Sequence, residues 1–462
     1  MRLTGVYRPR DFCMILSRIR CSCGVLLIAC TLLPSAAQQT SSPVPLLTLN
    51  GAIQLALAGN RDLKIANLEV EKSKWQVAAA KTRRLPGFKT YIFGSGSLTD
   101  ASFLFKEGSL GKFHGEPIPS SDQKIQLSSG FTGYALAEAS QPLTQLYKIH
   151  LAIREQELSS ELNSEEYRGK RQSVLANVKQ AYYAVLQTES SLDVAQADVK
   201  QYEETKRVAA DYLAQEAVLK SDELDSEAKL AQAQYQIVDL TNNLLSQKEQ
   251  LNDLLGRDIE TDFRTEQVPA IGYEETDLHL AQQKALSQRP EMHEAAIKVE
   301  KAEYDRRLAK ADYIPDIGAA LRYFSPMNTQ LLPTNIVAAG VEMSWEPFEW
   351  GRRKDDVKQK AIAVDQSQFQ LQQVRSQILL DVNNRFRKLA QSRQGLTVAQ
   401  AARVAAEEKL REINDKFSKE AVLLRDVLQQ QTSLANANHD YEEALLGFWT
   451  AKANFEKALG EE

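Results

Sequence analysis

The chain has 462 residues, 25% of them charged, and a formal net charge of -5. That length admits two or three ordinary domains, and the charge leaves no basic field for nucleic acid. Glycine (21) and proline (14) are scarce while Ala, Gln, Glu, Leu and Lys dominate, which favours long helices.

The first 37 residues differ from the rest. Arg2, Arg8, Arg10, Arg18 and Arg20 precede an apolar run from Gly24 to Leu33, then Pro34 and the small-residue site Ser35-Ala36-Ala37. This is the pattern of a secretory signal peptide over residues 1–37, too short to span a bilayer as a helix. Met14 offers an alternative start. All four cysteines (Cys13, Cys21, Cys23, Cys30) lie here, so a chain cut after Ala37 has no disulfides. Leu27-Ile28-Ala29-Cys30 also fits a lipoprotein signal, in which Cys30 would carry the lipid. Either route exports the protein.

A helix of about thirty residues is expected over roughly 50–83, ended by Pro86. Two alternating segments follow. Residues 89–98 form a blurred one; in the next, Ile125, Leu127, Phe131, Ala135 and Ala137 oppose Gln126, Ser128, Thr132, Tyr134 and Glu138. Alternation over about ten residues is how a half-buried strand is written. No proline then occurs from Leu143 to Val268. A second helix is expected over roughly 277–312, ended by Pro315, and two more strands over 316–323 and 336–346. In the last, Val337, Ala339, Val341, Met343 and Trp345 oppose Ala338, Gly340, Glu342, Ser344 and Glu346. From Gly351 to Phe417, Val357, Ala361, Val364, Leu371, Val374, Ile378, Val382, Phe386 and Leu389 make one apolar stripe. At ~1.5 Å per residue this is a rod of roughly 100 Å.

The halves correspond. Val70-Glu71-Lys72 falls on Val299-Glu300-Lys301 and Pro86 on Pro315, at an offset of 229. Downstream, Glu216-Ala217-Val218-Leu219 falls on Glu420-Ala421-Val422-Leu423, and Leu255-Gly256 on Leu459-Gly460, at 204. Pro86 to Pro142 is 56 residues but Pro315 to Pro347 only 32, so the difference sits in one loop of the first half. The reading is two repeats, 46–256 and 277–460, joined by a linker at 257–276. Each four-letter copy marks the tip where a long rod reverses, and Asp222 and Asp426 follow three residues later. As N-caps they would simply start the returning helices, Asp426 with Gln429 in the capping-box place.

Two stretches, "VEMSWEPFEWGRRKDDVKQKAIA" (341–363) and "LTLNGAIQLALAGNRDLK" (47–64), and the doubled order of helix, two strands and long hairpin, resemble the TolC-like outer-membrane efflux proteins of the outer-membrane factor family. The resemblance covers residues 46 to 460. It implies an α+β membrane protein: long antiparallel helical hairpins form a periplasmic α-barrel, and four strands per chain join a trimeric, twelve-stranded transmembrane β-barrel. Physics points the same way, since four strands cannot close and the smallest membrane barrels have about eight. On this picture Val337, Val341, Met343 and Trp345 face lipid, and Glu342 and Glu346 face the lumen. Trp345, Phe348 and Trp350 sit at the inner membrane interface, with Arg352 and Arg353 below.

The resemblance further implies a homotrimer serving a periplasmic adaptor and an inner-membrane transporter. The adaptor would dock at Glu216, Val218, Leu219, Glu420, Val422 and Leu423. Asp222 and Asp426 would ring the periplasmic entrance as a gate. The family commonly has glycine where Glu216 and Glu420 stand. The longer loop, with Phe103, Phe105 and Phe113, would lie outside the cell. No metal site, cofactor or enzyme chemistry is expected: His293-Glu294-Ala-Ala-Ile297 begins like a zincin helix but has isoleucine in the second histidine's place. The alternative from another class is a periplasmic adaptor or coiled-coil scaffold, which usually carries one hairpin per chain. The exported substrate and the transporter class are not written in the chain.

Overall fold

The computed structural model describes residues 45–461 except 97, 99–100, 128–130, 216–218, 269–276, 328–332, 420 and 423. The signal segment with Cys30, and Glu216, Val218, Glu420 and Leu423, lie outside the described residues. A two-residue strand, β1 (Leu46–Leu47), leads to Thr48, whose hydroxyl accepts the Gly51 N–H at 3.0 Å and so caps α1 (Leu49–Gly59). The single thirty-residue helix expected here is two helices. Asn60 leaves helical geometry with ψ 127°, and its side chain accepts the Leu63 N–H at 3.1 Å, starting α2 (Arg61–Thr82).

β2 (Gly87–Gly96) follows the proline turn. The long loop of this half is built rather than irregular. β3 (Ala101–Phe105) pairs with β6 (Gln123–Leu127), and inside them β4 (Lys112–Phe113) pairs with β5 (Glu116–Pro117). The strand expected over 125–138 is therefore divided, and its second part is β7 (Phe131–Pro142). Then α3 (Gln145–Ala214) runs 70 residues, a rod of roughly 105 Å, and α4 (Lys220–Leu255) returns along it. The segment beyond α4 is ordered by Asn252, whose amide donates to the carbonyls of Ile259 and Thr261 at 2.8 Å each. It ends in β8 (Arg264–Thr265), which pairs parallel with β1.

The second half repeats these lengths. α5 (Leu278–Gln288) has 11 residues like α1, and α6 (Pro290–Ala311) has 22 like α2. The break falls at Arg289, and Pro290 takes the first helical position, where a missing N–H costs little. β9 (Asp316–Met327) and β10 (Ile336–Ser344) form a hairpin, then α7 (Arg352–Ser418) runs 67 residues and α8 (Leu424–Leu459) returns over 36, as α4 does. All nine residues of the stripe read from the sequence are buried or half-buried on α7.

The main sheet is antiparallel in the order β2-β7-β9-β10. The helices joined to these strands follow the same order, with α2 on α3, α3 on α6 and α6 on α7. Both layers thus end on the same two pieces of chain. Below them the hairpins pack through α3 and α8. One core gathers Val178, Tyr182 and Val185 of α3 with Leu251, Leu255 and Phe263, and a second gathers Ala285, Ile378, Val382 and Phe455. Gly256 shows why Leu-Gly recurs. At φ 70° it ends the first hairpin against the α1–α2 break, where a Cβ would lie 2.1 Å from the Gly59 carbonyl oxygen. Gly460, at φ 83°, meets the α5–α6 break in the same way, 2.9 Å from the Gln288 carbonyl carbon.

Tyr182 ties the core to both short strands. Its hydroxyl accepts the Glu266 N–H at 2.8 Å and lies 2.9 Å from the Leu47 carbonyl oxygen. Burial pushes its phenol from 10.0 up to about 12. Because the folded value exceeds the unfolded one, this stability is whole below pH 10 and lost as pH climbs towards 12. Tyr182→Phe is expected to cost about 1–2 kcal/mol at neutral pH. It should also flatten the alkaline loss of stability relative to the parent, as read by circular dichroism melts across that window.

Candidate functional site

The four long strands have 10, 12, 12 and 9 residues. A tilt of ~45° would let such strands cross an apolar layer of about 25 Å. Their register sorts the side chains. One face carries Ile92, Ala137, Leu321, Val337, Val341 and Met343, and among the described strand residues none on it is charged. Val337 and Val341 are 67% and 71% exposed, so nothing among the described residues covers them.

The opposite face carries Lys89, Glu138, Arg322 and Glu342, one from each strand. Glu138 lies directly across from both Lys89 and Arg322. Arg322 donates from Nε to Glu138 at 2.8 Å and from Nη2 to Glu342. The pairing of Arg322 is a feature the alternation did not reveal. Further from the helices this face turns aromatic. The Phe93 ring stacks on Tyr134 at 5.4 Å, and Phe324 lies 5.5 Å from Tyr134.

Where β7 enters α3, the Thr144 hydroxyl donates to the Pro315 carbonyl at 2.6 Å and accepts the Ile317 N–H at 2.8 Å. Lys148 one turn on reaches Asp316 at 2.9 Å and Asp312 at 3.3 Å. Burial alone would lower this amine, but the two carboxylates outweigh it and hold it above its usual value. The junction after β10 is different. Trp345, Phe348 and Trp350 are 50%, 70% and 90% exposed, and Phe348 meets Trp350 edge-on at 4.8 Å. Trp350 and Gly351, at φ 52° and 90°, turn the chain into α7. Arg352 and Arg353 there reach Glu349 at 2.8 and 2.5 Å.

At the tips, Leu219 is 71% exposed and Val422 is half-buried. The Ala421 N–H closes the end of α7 on the Lys416 carbonyl at 2.9 Å. Of the two readings of Asp222 and Asp426, gate and N-cap, the helix starts do not fit the N-cap. Each aspartate is the third residue of its helix, since α4 starts at Lys220 and α8 at Leu424. Between the hairpins, α3 and α8 meet both through the core, which Leu446 and Trp449 of α8 join, and through polar contacts. Lys179 pairs with Glu456 at 2.7 Å, Gln180 donates to Asn454 at 2.8 Å, and Ser190 lies 3.4 Å from His439. Asp198 is also on α3, and burial holds its carboxyl above the usual range.

A family model described as outer membrane efflux protein matches residues 52–257 and 281–461. The chain belongs to the outer membrane efflux protein family. It is an outer-membrane efflux channel protein, not an enzyme. No curated protein sequence matches it. Among solved structures, it is similar to the Campylobacter jejuni CmeC outer membrane channel, with a TM-score of 0.72 and 17% identity over 89% of this chain and 85% of that one. Vibrio cholerae VceC gives 0.67 and 15% over 89% and 96%. The open state of the Neisseria gonorrhoeae MtrE channel gives 0.68 and 18% over 89% of each. At these identities the likeness is one of fold.

An uncharged, uncovered face of this kind is suited to lipid. Val341→Lys should then cost about 2–4 kcal/mol near mid-depth and sharply reduce folded protein in the outer-membrane fraction. Gly340→Lys, one residue away, points to the charged face and adds a Cβ with nothing within 4 Å, so it should be tolerated. Equal yields of the two variants would reverse or remove the face assignment.

Proposed function

We propose that three copies of this chain close into one cylinder, which is the passive exit duct of a tripartite efflux or type I secretion system. The supporting observation is the shared order of strands and helices. Sheet and helical layer are open at the same two ends, β2 with α2 and β10 with α7, so one operation that joins copy to copy completes both. Three copies give a twelve-stranded barrel above a helical tunnel. The halves 46–256 and 277–460 are read as repeats joined by 257–276; their matching helix lengths support this.

In this duct the chain hydrolyses nothing, and energy enters at the inner-membrane transporter. A periplasmic adaptor docks at the tips, on Val218, Leu219, Val422 and Leu423 flanked by Glu216 and Glu420. Trp345, Phe348 and Trp350 anchor the inner membrane interface. Opening follows from parting of the hairpins beyond the core, where α3 and α8 meet through Ser190 with His439 and Gln201 with Thr432, because water can replace polar contacts far more cheaply than apolar ones. The adaptor alternative is set aside, since an outer-membrane family match spans both halves of the chain.

Asp222 and Asp426 are assigned to the entrance. The first turn of a helix favours a carboxylate. Three copies bring six together, where mutual repulsion draws in cations and resists anions. In planar bilayers, Asp222→Ala with Asp426→Ala should lower cation preference and raise conductance; an unchanged pore would leave these residues a purely helical role. Photo-crosslinkers at Leu219 and Leu423 should capture one adaptor in cells. Their failure to form any adduct would remove the docking assignment.

A further inference from the structure

Four charges on the inner face of the sheet alternate in strand order, Lys89 on β2, Glu138 on β7, Arg322 on β9 and Glu342 on β10, while a fifth, Asp316 at the helix end of β9, is taken by Lys148. Inside the chain the row is knit through Arg322, which holds Glu138 at 2.8 Å and also binds Glu342. Its two ends are unfinished. Lys89 stands exposed on the β2 edge and makes no ion pair among the described residues, the carboxylate across from it being engaged by Arg322. Glu342 stands on the β10 edge, its carboxylate held from one side only, with 53% of the side chain exposed.

We infer that Glu342 of one copy pairs with Lys89 of the next, completing a belt of alternating charge around the barrel. This rests on the trimeric reading above. The sign pattern is what makes it work. A row of four that begins positive and ends negative continues without a clash when copied head to tail, whereas like ends would repel at every seam. The contact need not be between directly opposed residues. Arg322 faces Ala338 in register yet reaches Glu342, four residues nearer α7, so the last step of the row is already oblique.

The pair locks the register between copies. A slip of one residue would turn every side chain of β10 to the other face, and a slip of two would carry Glu342 past its partner. Apolar contacts on a lipid face distinguish such slips poorly, since one aliphatic side chain replaces another. A charge facing its opposite does distinguish them. The belt also sums to zero for each copy, so cargo of either sign meets paired charge at this level.

A zero-length carbodiimide, which joins a carboxylate to an amine only in contact, tests this on the purified detergent-solubilised protein. A Lys89–Glu342 linked peptide is expected in covalent dimer and trimer bands and should vanish in Lys89→Gln and in Glu342→Gln. These variants should each lower the temperature at which the trimer dissociates in SDS by a few degrees, and the double variant should fall no further than the worse single one. A protein that is trimeric by native mass spectrometry but yields no such link, or whose single effects simply add, would overturn the pair and leave the trimer intact. A monomer would overturn both.

Discussion

A sheet edge carries a row of backbone N–H and C=O groups that must find partners, and within a membrane no water supplies them. In this chain β2 and β10 are such edges, at the two sides of a sheet whose uncharged face leaves Phe88, Ile92, Val337 and Val341 open to the surroundings. Neither burial nor hydrogen bonding is complete in one copy. The helices inherit the same incompleteness, because α2 and α7 are continuous with the edge strands and end the helical row at the same places. On α2, Ile65, Leu68 and Trp75 remain exposed, and on α7, Ile362 and Phe369 do.

The rest of the architecture holds this open ribbon in one shape. Two helix breaks, at Asn60 and Arg289, receive the ends of the two hairpins at Gly256 and Gly460, where a side chain would strike backbone. Asn60 serves both parts, capping α2 and donating to the Leu254 carbonyl at 2.8 Å. Arg289 does comparable work with charge, pairing with Asp381 of α7 and with Glu291, each at 2.9 Å. The hairpins are thereby clamped near the middle of the molecule. Towards the tips, α3 and α8 meet through Ser190 with His439 and Gln201 with Thr432.

Much of this was legible in the residues. The stripe from Val357 to Leu389 has one dominant period and few polar interruptions, and it lies buried or half-buried on a single 67-residue helix. The alternation from Val337 to Met343 gave strand and faces together, because period two admits no other geometry. The helix breaks were hidden for different reasons. Asn60 sits within continuous helical periodicity and acts only through its side-chain bond. Pro290 falls inside the helix expected over 277–312, at a position where it starts a new helix. The Arg322 bridge was unreadable without register, since Glu138 is 184 residues distant in sequence. Asp222 and Asp426 look like caps by residue type. The helices in fact begin two residues earlier, so the aspartates occupy the first turn.

Cryo-electron microscopy of the purified protein in lipid nanodiscs addresses the missing partners most directly. Three copies around one axis are expected, β10 of each hydrogen-bonded to β2 of its neighbour, with an unbroken passage from barrel to helical tunnel. Single copies in lipid, or a ring whose strand edges do not meet, would contradict that arrangement.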